Sequence, residues 1–201
     1  MIRLRTAILI SGRGSNMQAI LTAATAQDYP AEPALVLSNR PNAPGLETAS
    51  AGNIPAAAVD HKIYGKDREV FEREMQNVLD THDIEMIVLA GFMRILTPWF
   101  VTRWDRRMIN IHPSLLPKYT GLDTHQRAID AGDAEAGCSV HWVTEGVDEG
   151  DVIAQARVPI LADDTADTLQ ARVLKEEHQL YPRAVAMAAR EILAKKKPFS
   201  V

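Results

Sequence analysis

The chain has 201 residues, 46% of them hydrophobic, enough to bury a core for one generous domain or two small ones and to exclude wholesale disorder. Its 22 basic and 26 acidic residues leave a formal charge of −4, so no global cationic field draws it to nucleic acid or to an anionic membrane surface. The single cysteine, Cys138, excludes an internal disulfide framework and any multi-cysteine metal site.

The opening MIRLRTAILISGRG has too short an apolar run for a signal peptide, and no segment approaches the roughly 20 apolar residues that span a bilayer; a cytoplasmic protein is expected. Ala7–Ile10 reads as a first strand, Asn16–Ala26 as a helix, and Ala34–Leu37 as a second strand. A short helix over Pro44–Ala51 is closed by Gly52, and a brief strand covers Ala56–Val59. Between Asp67 and Thr81, Val70, Phe71, Met75, Val78 and Leu79 recur at helical spacing and predict an amphipathic helix. Glu85–Leu89 is a buried strand, Pro98 opens a short helix, Met108–His112 is a strand stopped by Pro113, and Thr124–Ala131 is helical. Beyond Gly137, CSVHWV and DVIAQARVPI are separated only by TEGVDEG, too short for a helical crossover, so they pair antiparallel. A helix from about Thr165 to about Ala194, bent at Pro182, closes the pattern, and Lys195-Lys196-Lys197 reads as its solvated end. The alternation predicts an α/β fold: a doubly wound, Rossmann-like, mostly parallel sheet with an antiparallel C-terminal portion, organised as one domain over residues 1–201.

Ligands of such sheets bind beyond the carboxyl ends of the strands, where the strand order reverses. SGRGSN, SNRP, GFMRIL and HPSLLPKYTG all follow predicted strands and fall there. In SGRGSN, two glycines allow a tight turn whose N–H groups face outward, with a hydroxyl and an amide at the helix start. Such a turn either cradles a phosphate or is only a helix start capped by Ser15 or Asn16. The third glycine of the dinucleotide fingerprint is missing and no P-loop lysine follows, which disfavours a dinucleotide or ATP. Asn110 and His112 alternate with Ile111 and therefore share one face of their strand, presenting an amide donor beside an imidazole; a hydrogen-bonded histidine at a strand end is the plainer alternative. The turn Val147–Asp151 is either a solvated acidic hairpin or, if folded back on the His112 strand end, a means for Asp148 to orient that imidazole. His61, His82, His125, His141 and His178 show no compact ligand spacing, so no metal is expected. Met93, Ile95 and Leu96 would ordinarily be core residues, with Arg94 explained by a salt bridge or a ligand.

Taken together, AILISGRGSNMQAIL, IVLAGFMRILTP, INIHPSLLPKYTGLDTHQRAI and VTEGVDEGDVIAQARVPI resemble the phosphoribosylglycinamide formyltransferase family over nearly the whole chain. NIHPSLLP is shared with methionyl-tRNA formyltransferases and formyltetrahydrofolate deformylases, but those carry further domains for which 201 residues leave no room. The resemblance implies formyl transfer from 10-formyltetrahydrofolate to the amine of glycinamide ribonucleotide in purine biosynthesis, with Asn110, His112 and Asp148 as the catalytic trio. It further implies that Gly14, Ser15 and Asn16 hold the ribonucleotide phosphate with Arg68, and that Glu177 contacts the ribonucleotide. Met93, Arg94, Ile95 and Leu96 then line the folate pocket, and Val143 to Asp148 enclose the pterin. Small molecules are the expected partners, with neither nucleic acid nor membrane, for a monomer or homodimer. Arg13 replaces the asparagine of the commoner SGNGSN, and KYTGLDTH replaces KYPGLHTH, placing Asp123 where relatives have histidine. The competing readings are a formyltetrahydrofolate hydrolase, which keeps the trio without needing SGRGSN, and a non-catalytic nucleotide-binding module, which needs only the cradle.

Overall fold

The computed structural model describes residues 2–196. Its elements are β1 (Leu4–Ile10), α1 (Ser15–Ala23), β2 (Ala31–Ser38), α2 (Pro44–Ala51), β3 (Ala56–Ala58), a 3₁₀ turn (His61–Tyr64), α3 (Arg68–Thr81), β4 (Met86–Leu89), α4 (Pro98–Arg103), β5 (Met108–His112), α5 (Thr124–Asp130), β6 (Glu135–Trp142), β7 (Val152–Pro159) and α6 (Ala166–Lys196). One seven-stranded sheet runs in the order β3-β2-β1-β4-β5-β6-β7. The first five strands are parallel, and β6 and β7 join antiparallel. This is the mixed, Rossmann-like sheet the alternation predicts. The 3₁₀ turn is an addition, too short to leave a periodic signal.

The apolar strand runs are continuous because both sheet faces are covered. Ile8, Ile10, Val36, Val88, Ile109 and Ile111 face the layer of α1, α2 and α6. Ala7, Leu9, Leu35, Leu37, Ile87 and Met108 face α3 and α4. Each fully buried Leu, Ile or Val contributes roughly 1.5–3 kcal/mol relative to exposure, so the alternating sets fix which face each strand residue takes. On α3 the buried stripe is Phe71, Glu72, Met75, Gln76 and Leu79. Val70, expected on the apolar face, is 44% exposed and Glu72 is buried instead, because Glu72 shares its face with Met75, Gln76 and Leu79 at helical spacing. Gln76 repays its burial by accepting the Trp104 indole N–H at 2.8 Å.

Helix α6 runs unbroken through Pro182. Midway along it the buried Tyr181 donates its hydroxyl to the Leu89 carbonyl at 2.7 Å, pinning the helix to the end of β4. The helix end is solvated, as its lysine run suggests, with Lys195 and Lys196 both exposed. Lys196 pairs with Glu85 beside β4, and Lys195 lies 2.7 Å from Glu191; Lys197 lies outside the described residues. No helix among the described residues is long and apolar enough to cross a membrane.

Candidate active site

The chain winds outward from β1 through β2 to β3 and returns to place β4 on the other side of β1, so the strand order reverses between β1 and β4. At that point sits Ser11, buried, the first residue of SGRGSN. Its hydroxyl donates to Asn39 Oδ1 at 2.6 Å and accepts the Met93 N–H at 2.8 Å, while its own N–H donates to the Gly91 carbonyl at 3.1 Å. One residue thus joins the loops after β1, β2 and β4.

Gly14 precedes α1 with φ +73°, a conformation that disfavours any residue with a Cβ, and no side chain caps the helix. Capping by Ser15 or Asn16 is therefore not what the turn is for, and the first-turn N–H groups of α1 are left for a ligand or water. Asn16 instead donates its amide to Glu177 Oε2 at 2.7 Å, joining the turn to α6. Burial pushes the Glu177 carboxyl above the usual carboxylate range, against the pull of that hydrogen bond and of His178 and His112. Arg13 is exposed. The Arg68 guanidinium reaches the Ile95 carbonyl at 3.4 Å, tying it to the loop after β4.

Asn110 and His112 stand at the carboxyl end of β5, on the face opposite Ile109 and Ile111. The hairpin between β6 and β7 does fold back on them. His112 Nδ1 lies 3.2 Å from Asp148 Oδ2, with the two side chains only 7% and 11% exposed. The same carboxylate oxygen accepts the Gly121 N–H at 3.0 Å. His112 Nε2 faces the Tyr119 carbonyl at 2.8 Å, so both ring nitrogens face oxygen acceptors and only the doubly protonated ring donates to both. Burial works against ionisation of Asp148, but His141, the Gly121 N–H and the nearby His112 together outweigh it and hold the carboxyl below its usual range.

His141 has no metal-ligand spacing and carries no local sign of a role in the sequence beyond its alternation with Ser139. It is the cross-strand partner of Asn110, buried, with Nε2 at 3.3 Å from the Asn110 amide nitrogen and 3.5 Å from Asp148 Oδ1. Its Nδ1 is 2.9 Å from the Trp142 carbonyl, which sets that nitrogen as a donor. Two imidazoles therefore flank one carboxylate. The alternation of Ser139 and His141 along β6 was the available signal, but only the β5–β6 register puts His141 beside Asn110. Tyr119 likewise carries no local sign in the sequence; its φ of +55° is unusual for a bulky residue and turns its carbonyl toward His112.

Met93 and Ile95 are not core residues: each is 66% exposed. Leu96 and Val143 pack partly against the layer of α3 and α4, and Arg94 is half-buried. Apolar side chains held outward beside a polar site form a surface suited to a flat, largely apolar ligand. Asp123 starts α5 at φ +56° without capping it. Cys138 is buried and its thiol is pushed up to about 12 by burial and by Glu177, so it is no nucleophile at neutral pH. Among the described residues no three His, Cys, Asp or Glu side chains gather as metal ligands.

The family model for formyl transferases matches residues 4–185. The trifunctional purine biosynthetic protein adenosine-3 of Drosophila melanogaster is 49% identical over 187 residues, 92% of this chain but 14% of that much longer protein. The chain thus spans about a seventh of such multifunctional relatives. The phosphoribosylglycinamide formyltransferase of Haemophilus influenzae is 44% identical over 90% of this chain and 85% of its own. The crystal structure of phosphoribosylglycinamide formyltransferase from Brucella melitensis superposes with a TM-score of 0.88 at 49% identity, covering 93% of this chain and 96% of that one. With a matching family model, near full-length relatives and a shared fold, the chain belongs to the formyl transferase family of enzymes, among its phosphoribosylglycinamide formyltransferases.

Proposed function

We propose that the protein, acting as one formyltransferase domain, moves the formyl group of 10-formyltetrahydrofolate to the primary amine of glycinamide ribonucleotide. The observation that carries this is the convergence of Asn110, His112 and Asp148 at the carboxyl end of β5, with His112 Nδ1 held 3.2 Å from the Asp148 carboxylate. The amine attacks the formyl carbon, the carbonyl π pair moves to oxygen, and a tetrahedral oxyanion forms. The Asn110 amide and the His112 imidazolium are the donors to that oxygen, each such donor supplying on the order of a hundredfold or more in rate. Collapse of the intermediate expels N10 of the folate. Asp148 holds the imidazole in orientation and assists the proton's passage from the attacking nitrogen to the leaving one.

The His112 Nε2 that serves the oxyanion donates here to the Tyr119 carbonyl. Formyl entry then requires this carbonyl to turn aside, a movement aided by release of the left-handed Tyr119 backbone. The phosphate rests on the turn of Gly14, Ser15 and Asn16 with Arg68 nearby, Glu177 meets the ribonucleotide, and Met93 to Leu96 with Val143 to Asp148 hold the folate. The chemistry needs no covalent enzyme intermediate.

Loss of the formyl group from 10-formyltetrahydrofolate, followed by absorbance with and without glycinamide ribonucleotide, tests this directly. Rapid loss only with the ribonucleotide is expected. Equal loss with water alone identifies a hydrolase, and none under either condition identifies a non-catalytic nucleotide-binding module.

A further inference from the structure

Residues Phe92 to Thr97, between β4 and α4, contain no regular structure, yet they hold Met93 and Ile95 outward at 66% exposure against the hydrophobic effect. Something must pay for this arrangement. At one end the Met93 N–H is held by the buried Ser11 hydroxyl at 2.8 Å. At the other, Glu72, only 1% exposed, receives the Thr97 N–H on Oε1 at 2.7 Å and the Thr97 hydroxyl on Oε2.

A carboxylate on the core face of an amphipathic helix is costly. Burial pushes the Glu72 carboxyl above its ordinary range, even though both Thr97 hydrogen bonds and Arg68 favour its charged form. A leucine there would suit the adjoining Phe71, Met75 and Leu79 without that cost. What glutamate supplies is a bidentate anchor at the mouth of the loop, one turn of α3 away from Arg68, whose guanidinium touches the Ile95 carbonyl.

We propose that Glu72 is a positioning residue for the folate: by fixing Thr97, it sets the segment that presents Met93 to Leu96 to the pterin-bearing ligand. It touches neither substrate nor reacting atoms. This rests on the folate reading of the segment given above. Because Glu72 holds that segment directly and reaches the phosphate site only by way of Arg68, its loss weakens folate binding far more than binding of the ribonucleotide, seated on the α1 turn.

Three variants test it. Glu72→Leu removes both acceptors, Glu72→Gln retains an acceptor for the Thr97 N–H and offers an amide donor to its hydroxyl, and Glu72→Asp shortens the reach by one methylene. Calorimetric titration with a non-reactive 10-formyltetrahydrofolate analogue and, separately, with glycinamide ribonucleotide measures the two affinities; circular dichroism verifies folding. The expected result is a folate Kd raised about tenfold or more in Glu72→Leu, as follows from leaving the half-buried Thr97 N–H and hydroxyl without their acceptor, and within about threefold of wild type in Glu72→Gln. Ribonucleotide Kd, which Glu72 reaches only by way of Arg68, shifts by no more than about threefold throughout. Should Glu72→Leu fail to fold, Glu72→Asp carries the test with an expected rise of about threefold or more in folate Kd, larger than any shift for the ribonucleotide. Unchanged folate affinity, or equal losses for both ligands, overturns the positioning role while leaving the formyl-transfer reading intact. Wild-type protein that binds the ribonucleotide but no folate overturns both.

Discussion

Asp148 Oδ2 stands 3.2 Å from His112 Nδ1 and 3.0 Å from the Gly121 N–H, so a single oxygen ties the β6–β7 hairpin to the end of β5 and to the loop that follows it. In Asp148→Asn an amide oxygen in the Oδ2 place can still accept from Gly121 and from His112 Nδ1, while the NH₂ takes the Oδ1 place facing His141 Nε2, so the contacts persist without the carboxylate's charge. The fold survives and the negative charge beside His112 does not. Single-turnover formyl transfer is expected to fall on the order of a hundredfold or more, with ribonucleotide Kd within about threefold. Near-normal transfer in the folded variant would return the turn to a purely structural role.

The same carboxylate links stability to pH. Its folded-state value lies below the unfolded one, so the stabilisation is full above the unfolded value, near about 3.9, and is lost as pH falls through the folded value. Urea midpoints of wild type and Asp148→Asn should therefore differ most near neutrality and converge in acid. A gap that widens on acidification contradicts this.

Glu177 behaves with the opposite sign. Its folded-state value is raised, so stability declines as pH rises from the unfolded carboxyl value through the folded one. Glu177→Gln cannot ionise, and its oxygen still accepts from Asn16. It should be more resistant to urea than wild type at neutral pH and equal to it in acid, while binding glycinamide ribonucleotide less tightly. Lower neutral-pH stability in the variant would show that the Asn16 contact outweighs desolvation.

At Gly14 a side chain meets two obstacles, a left-handed backbone and the Met17 side chain, whose Cε lies 3.1 Å from where a Cβ would sit. Gly14→Val is expected to cost about 1–2 kcal/mol of stability by denaturant titration and to weaken ribonucleotide binding at least tenfold, with folate-analogue affinity little changed. Unaltered ribonucleotide affinity in the folded variant would remove the turn from the phosphate site.

Tyr181 offers a control remote from the trio's chemistry. Tyr181→Phe removes the hydroxyl bonded to the Leu89 carbonyl and should cost about 1 kcal/mol in unfolding free energy. A much larger loss would mean that the bond also supports the β4 carboxyl end cooperatively.

Local rules reach far in this chain. Apolar runs bounded by glycine and proline mark the strands, Pro44 and Gly52 bracket α2 to the residue, and the period of two along Asn110-Ile111-His112 puts the amide and the imidazole on one face before any coordinates are known. Asp148 was legible only as one of two alternatives, because an acidic turn has the same local appearance whether it points into solvent or onto a histidine. His141 and Glu72 were hidden for related reasons. A strand's partner depends on inter-strand register, and the side of a helix that is buried depends on what packs against it. Sequence by itself determined the periodicities and turns, since these arise from contacts a few residues apart. Which polar groups were to be desolvated together was decided by the tertiary structure alone, because the energies that settle it, the carboxylate shared by His112, His141 and Gly121 and the Thr97 bonds that offset burial of Glu72, come from groups brought together by the fold from distant parts of the chain.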